Sequence, residues 1–512
     1  MPDTEKSTMR ISYALAIYVI LFILMMVAIA VSVMNVFQAN TVNDDIGWAI
    51  RNGGYLLTQG FQYRLASSWV VAHPYLSTGP EWLADGFFYL LYAKTGWTGL
   101  VALVQLVLWG GLFWTYWRAK KSGSTFTILL ALFVFMEGMS NFLVDRPQVF
   151  TYLFIVFYLW WRNGWGESVP LTQANEALRF LNSEWIWLIV MPLWASFHGG
   201  FALFYVLFVI DAFARRAYRS LWIVPVTMAE IVLVMPNHLY NLLYPFRWQL
   251  VPYDRYISEV MPMVFADSNA MLMIVLTGAA VVIWRSMKNV DRVVLILLGL
   301  FALHSARNLP FYTLWVLWFL PAFRFEDWLP TWATRLRRVA AWDRQSFMKT
   351  NRFIGWLMTG GTAAIIVLFP WIHPEVHAFQ NSSVVDNAAL HYLVNYAKVL
   401  DYIGYEPMQY SDELTLWGDH DYLESQQDVW AGIISPKTEP DLTMNVMRVD
   451  TGQLPLTKAW GYARMRYILV RNGSLVDNEV RLLPSVWVPE FHDAYATVYV
   501  RHPYAEKVRQ AK

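Results

Sequence analysis

Asn43-Asp44-Asp45-Ile46-Gly47-Trp48-Ala49-Ile50-Arg51 follows closely on the first hydrophobic run, Ile11 to about Val33, and the two together decide the fold class. The run carries no charge and exceeds the roughly 18 apolar residues that read as a membrane span. It lacks a small-residue cleavage site and is too long for a signal-peptide core, so it reads as a retained anchor. Two adjacent carboxylates thus stand where the chain leaves a membrane helix. The segment after them is amphipathic, with Ile46, Ile50, Leu56 and Leu57 suited to lipid or protein and Arg51 and Gln59 to water. An acid pair held at the membrane surface suits chemistry on a lipid-borne substrate, because it meets the head group. The plainer reading is that Asp44 or Asp45 caps the next helix and meets its dipole.

Composition supports the membrane reading. The chain has 512 residues, of which 57% are hydrophobic and 15% charged, against about 25% charged in soluble domains. A net charge of +1 argues against a general polyanion binder, and no basic-aromatic nucleic-acid module is present. With no cysteine, disulfides and thiolate metal sites are excluded. Hydrophobic runs and breakers predict about eleven spans, near 11–35, 97–117, 125–143, 149–162, 184–198, 201–214, 221–236, 267–285, 292–306, 311–323 and 353–371. With the N-terminus in the cytoplasm, roughly twenty Lys and Arg fall inside against about seven outside. The inner set includes Arg118, Lys120, Lys121, Arg215, Arg216, Arg219, Arg285, Lys288 and Arg292.

The outer face then holds the long first loop (36–96), Asp145-Arg146-Pro147-Gln148, His198-Gly199-Gly200, the 236–262 region with Ser258-Glu259, and His304 to Asn308. Beyond about residue 372 the pattern changes. A polar linker leads to a helix from Asp386 to Lys398 and short apolar runs at 429–434, 467–470, 485–488 and 496–500. The predicted architecture is a polytopic α-helical membrane protein with a transmembrane domain over 1–371 and a soluble α/β periplasmic domain over 372–512. Bacterial inner (cytoplasmic) membrane is the expected location.

Several segments, taken in order, carry a resemblance: Asp45-Ile46-Gly47-Trp48, Glu81-Trp82-Leu83-Ala84, Arg146-Pro147-Gln148, His198-Gly199-Gly200-Phe201, Asn237 to Phe246, Ile257-Ser258-Glu259 and Arg307-Asn308-Leu309-Pro310. Trp417-Gly418 and Ala494 to Arg501 extend it to the C-terminal region. The chain resembles the GT-C superfamily of integral membrane glycosyltransferases, and more narrowly a bacterial multi-span group within it. It departs from that pattern in having Ala49 where a histidine usually follows the tryptophan, and in a shorter, less glycine-rich stretch before Glu81.

The resemblance implies transfer of a sugar from a polyprenyl-phosphate donor to a hydroxyl on a glycan, lipid or protein, at the outer face and with inversion. It makes Asp45 the base, with Asp44 beside it. No dedicated cofactor follows from it, and a divalent metal is left open. Arg307 is the first candidate for the donor phosphate, since a guanidinium takes two phosphate oxygens at once; an arginine snorkelling to the interface is the alternative. Arg146 carries the same two readings, with a structural pair to Asp145 favoured. Arg51 either neutralises the aspartates or touches phosphate. His198, Glu81, Glu259 and Asn308 are the substrate-binding candidates. Their plainer readings are a bundle hydrogen bond for His198, helix-start electrostatics for Glu81 and loop surface for Glu259. Asp211, inside a span, is expected to pair with Arg215 one turn on, while Glu230 has no evident partner. Two other classes compete. A transporter or flippase of a lipid-linked substrate would be expected to show internal repeats with broken helices, and none is clear. The third reading is a non-catalytic GT-C-like scaffold.

Overall fold

Among the described residues, the hydrophobic runs before residue 323 fold as helices, and a small sheet forms near the C-terminus. The computed structural model describes residues 46–60, 81–139, 142–144, 146–164, 183–236, 238–248, 268–322, 387–396, 404–405, 448–459 and 462–511, with isolated positions 20, 23, 24, 27, 355 and 400. The acid pair Asp44-Asp45, Asp145, Ser258-Glu259, the last expected span, the linker, the 429–434 run and Trp417-Gly418 lie outside the described residues. So does the first expected span apart from its isolated positions.

Helix α1 (Ile46–Gln59) lies against α2 (Trp82–Ala119). Ile46, Ala49 and Ile50 of α1 are buried with Ala84 and Phe88 of α2, and Phe150 and Phe197 close over them. Gly53 allows the approach: a Cβ there would come within 2.1 Å of the Asp85 carbonyl oxygen. The run expected from Glu81 and the span expected at 97–117 are two arms of α2, bent at Gly96, whose φ of 62° and ψ of −156° break the helical backbone. Only glycine adopts such angles without steric penalty.

The remaining helices are α3 (Thr125–Met139), α4 (Gln148–Gly164), α5 (Trp187–Phe197), α6 (Ala202–Ala214), α7 (Ile223–Val234), α8 (Leu239–Trp248), α9 (Ser268–Ile283), α10 (Asn289–His304) and α11 (Leu309–Phe319). One core joins most of them, with Trp161, Trp187, Trp194 and Trp315 wholly buried in it. Trp187 meets Phe204 at 4.2 Å between centroids, and Trp194 stacks on Phe154 at 5.2 Å. Truncating any one of these indoles costs about 3–5 kcal/mol.

Among the described residues, one helical stretch, Thr98–Ser122, is long and apolar enough to cross a membrane, with mean hydropathy 1.6. Thr125–Met139, Glu184–Phe197 and Phe201–Ala214 are apolar but shorter. At 1.5 Å per residue, helices of this length fall short of a hydrocarbon core about 30 Å thick. The turns at His198-Gly199-Gly200 and Ser305 to Asn308 separate helices where breaks between spans were expected.

The C-terminal sheet has strand order β1-β2-β4-β3, formed by β1 (Gly404–Tyr405), β2 (Tyr467–Arg471), β3 (Trp487–His492) and β4 (Ala496–Arg501). Strand β1 runs parallel to β2, and the other pairings are antiparallel. Both faces are covered, as the alternation along β2 requires. Tyr467 and Leu469 pack with α12 (Asn387–Tyr396) and α14 (His502–Ala511). Ile468 and Val470 pack with Trp487 and with α13 (Leu475–Arg481).

Candidate functional site

Side-chain contacts sort the helix ends into two groups. One group gathers the starts of α2 and α4, the end of α5 and the turn between α10 and α11. The other gathers the ends of α2, α4, α6 and α11 with the start of α10. Most of the polar residues singled out from sequence belong to the first group.

His198 ends α5 in extended backbone, where the helix stops before the Gly199-Gly200 turn. Its Nδ1 accepts from the Gly200 N–H at 3.0 Å and lies 2.8 Å from the Thr151 hydroxyl of α4. The Trp194 indole N–H donates to the same hydroxyl oxygen at 2.9 Å. On the ring's other side, Nε2 lies 3.5 Å from a Glu81 carboxylate oxygen. Glu81 stands at the N-cap of α2 and makes no side-chain capping bond.

Arg307, in the turn before α11, donates through Nε to the Gln148 side-chain oxygen at 3.0 Å. Gln148 in turn donates to the Tyr152 hydroxyl. The Arg307 charge is close enough to act on His198. Arg146 sits half-buried in the turn two residues before Gln148. Glu81, His198 and Arg307, remote in sequence, are therefore neighbours.

Two candidates stand apart from this set by the bonds they make. Arg51 donates to the Tyr55 hydroxyl through Nε at 2.9 Å and Nη2 at 2.7 Å, one turn along α1. Asn308 is buried and donates from its amide to the Phe301 carbonyl at 3.1 Å, closing the end of α10.

Sequence reasoning missed Asp85. It lies one turn after Glu81, 1% exposed, with neither carboxylate oxygen in hydrogen-bond geometry with a partner among the described residues. Burial, and next the charge of Glu81, hold its carboxyl well above the usual carboxylate range, and the Asn52 amide alongside offsets this in part. Asp85 is therefore biased toward the neutral acid. Thr151 also went unmarked and Gln148 was noted only as part of its turn, although their spacing of three puts them on one face of α4. Among the described residues no group of three His, Asp or Glu is placed to hold a metal ion.

At the opposite group of helix ends, Arg162 forks onto Asp211 and also donates to Asp291, with all three side chains no more than 5% exposed. Tyr158 donates to Asp211 as well. The expectation that Asp211 pairs with Arg215 is thereby corrected: Arg215 donates to the Arg162 carbonyl at 2.9 Å. A carboxylate this deeply buried takes the planar two-pronged donor from a neighbouring helix. Glu230 has a buried carboxylate oxygen without a hydrogen-bond partner in the described structure.

Compared with known protein families, curated proteins and solved structures, the chain shows no significant match to any.

Proposed function

We propose that the chain is an inverting, GT-C-like glycosyltransferase that moves a sugar from a polyprenyl-phosphate donor to a hydroxyl acceptor at the outer face of the bacterial cytoplasmic membrane. The observation that carries this reading is the meeting of Glu81, His198 and the Arg307–Gln148 pair at one group of helix ends. Those residues belong to the segments whose order carries the resemblance. Asp45 is one peptide bond from Ile46, which is buried in the cluster against which Phe150 and Phe197 pack. Thr151 and His198 directly follow those two phenylalanines.

The multi-span reading is supported by apolar residues turned outward as well as inward. Leu106, Leu153, Ile189, Leu233 and Leu300 are all exposed on helices that also contribute to the core. A helix that is apolar all round needs a nonpolar surrounding. Two of the basic residues read as cytoplasmic, Arg118 and Arg215, belong to the group of ends opposite to Glu81 and His198.

In the proposed reaction the acceptor hydroxyl attacks the anomeric carbon while Asp45 takes its proton. The bond from that carbon to the phosphate oxygen breaks, and its electron pair leaves with the polyprenyl phosphate. Arg307 steadies the departing phosphate. A single displacement inverts the anomeric centre. The acceptor is a glycan, lipid or protein of the cell envelope, and the C-terminal sheet region helps to position it.

The test is transfer of labelled sugar from polyprenyl-phosphate donors in membranes carrying wild type, Asp45→Asn or Asp44→Asn. Transfer by wild type, lost in Asp45→Asn at an unchanged protein level, is the expected result. Unchanged transfer in both variants, or none by wild type across a panel of donors, overturns the reading in favour of transport or a scaffold role.

A further inference from the structure

The hydrogen bonds around His198 fix more than its position. A backbone N–H can only donate, so the Gly200 N–H at 3.0 Å requires a lone pair on Nδ1. The Thr151 hydroxyl, 2.8 Å away and itself accepting from Trp194, must then donate to that same nitrogen. With Nδ1 unprotonated, the ring is neutral and its proton sits on Nε2. That N–H faces the Glu81 carboxylate across 3.5 Å, which is long for a hydrogen bond. A donor and an acceptor thus stand side by side, both partly accessible at 14% and 17% of their side-chain surface. A hydroxyl is the group that answers such a pair, since it can accept from the donor and donate to the acceptor.

We propose that His198 and Glu81 form a hydroxyl-binding subsite for the sugar of the lipid-linked donor, the imidazole donating to the hydroxyl and the carboxylate accepting from it. The assignment to the donor rests on the transferase reading and on Arg307, whose charge acts on His198; a phosphate held by Arg307 brings its attached sugar to the neighbouring pair. Thr151 and Trp194 are positioning residues, because they act on substrate only through the tautomer they impose.

The experiment uses the full-length protein in lipid nanodiscs. Binding is measured for a panel of short-chain prenyl-phosphate hexoses and pentoses and for the sugarless prenyl phosphate. In wild type at least one sugar-bearing probe binds about tenfold tighter than prenyl phosphate, the scale of one hydrogen bond to a charged group. Glu81→Ala and His198→Phe each erase that preference and leave the affinity for prenyl phosphate unchanged, whereas Arg307→Gln weakens both kinds of probe. Nitrogen NMR of labelled histidine, with His198 assigned by difference, shows Nε2 protonated and Nδ1 bare at neutral pH, and Thr151→Val disturbs this state without touching the ligand. The proposal is overturned if wild type binds sugared and sugarless probes equally, if Glu81→Ala keeps the preference, or if His198 carries its proton on Nδ1. A sugar preference that depends on Glu81 in a protein that transfers nothing keeps the subsite and removes the enzyme reading. Transfer that proceeds with the preference indifferent to Glu81 does the reverse.

Discussion

The two groups of helix ends hold similar chemistry in opposite states. Around Arg162, one guanidinium meets two carboxylates, one of which also accepts from the Tyr158 phenol, and the side chains are buried. Around His198, a carboxylate and an imidazole face each other across a gap too wide for a good bond, with part of each surface open. A buried charge costs several kcal/mol unless it is fully paired, which accounts for the closure of the first set. The second set bears no such cost, because its groups are neutral or partly wetted. Closure marks the set that holds helices together, and partial exposure marks the set to which a ligand is assigned above.

The largest effect expected from this contrast is at the closed end. Arg162→Met leaves Asp211 and Asp291 buried without their shared cation, and is expected to cost roughly 3–5 kcal/mol, read as a large fall in the melting midpoint in nanodiscs. A midpoint near that of wild type would mean that the set is not what ties α4, α6 and α10 together. Next is Arg307→Gln at the open end. It is expected to lower kcat/KM with a polyprenyl-phosphate donor by about tenfold to a hundredfold, the equivalent of 1.5–3 kcal/mol, at nearly unchanged stability. A variant that unfolds while its residual folded fraction transfers normally would erase the distinction between the ends.

The smallest effect concerns Asp85, the acid that the open end keeps neutral. Its folded carboxyl titrates well above the ordinary value, so between about pH 4 and that raised value the folded chain holds a proton that the unfolded chain has lost. Stability therefore falls as pH rises through that window and levels off above it. Asp85→Asn imitates the neutral acid. It is expected to change stability by less than about 1 kcal/mol at low pH and to flatten this contribution to the pH slope. A slope unaltered by the substitution would show Asp85 ionised in the fold.

Much of the helical layout could be read from the sequence because apolar runs bounded by glycine and proline leave few alternatives. The break at Gly96 was legible: the run from Glu81 and the span from 97 read as separate elements, and the backbone angles at Gly96 interrupt the helix between them. Pairing across helices was the weakest part. Arg215 is the neighbour that helical spacing suggests for Asp211, but Arg162, 49 residues away, takes it. In the same way His198, Glu81 and Arg307 were each marked singly. Their meeting depends on Thr151 and Gln148, ordinary polar residues in an apolar run whose importance comes from the ends that fold next to them. Asp85 looked like a first-turn acid, a placement that helix dipoles favour, and nothing in its neighbours signals burial.

The contact at Gly53 has a mechanical consequence. At Gly53 no side chain separates α1 from the first turns of α2, and the buried cluster of Ile46, Ala49, Ile50, Ala84 and Phe88 ties the same two helices together. Leu57 and Leu90 are exposed on that pair, one on each helix. Glu81 stands at the start of α2, so pressure on either leucine from lipid or a bound protein is expected to reach it through this contact.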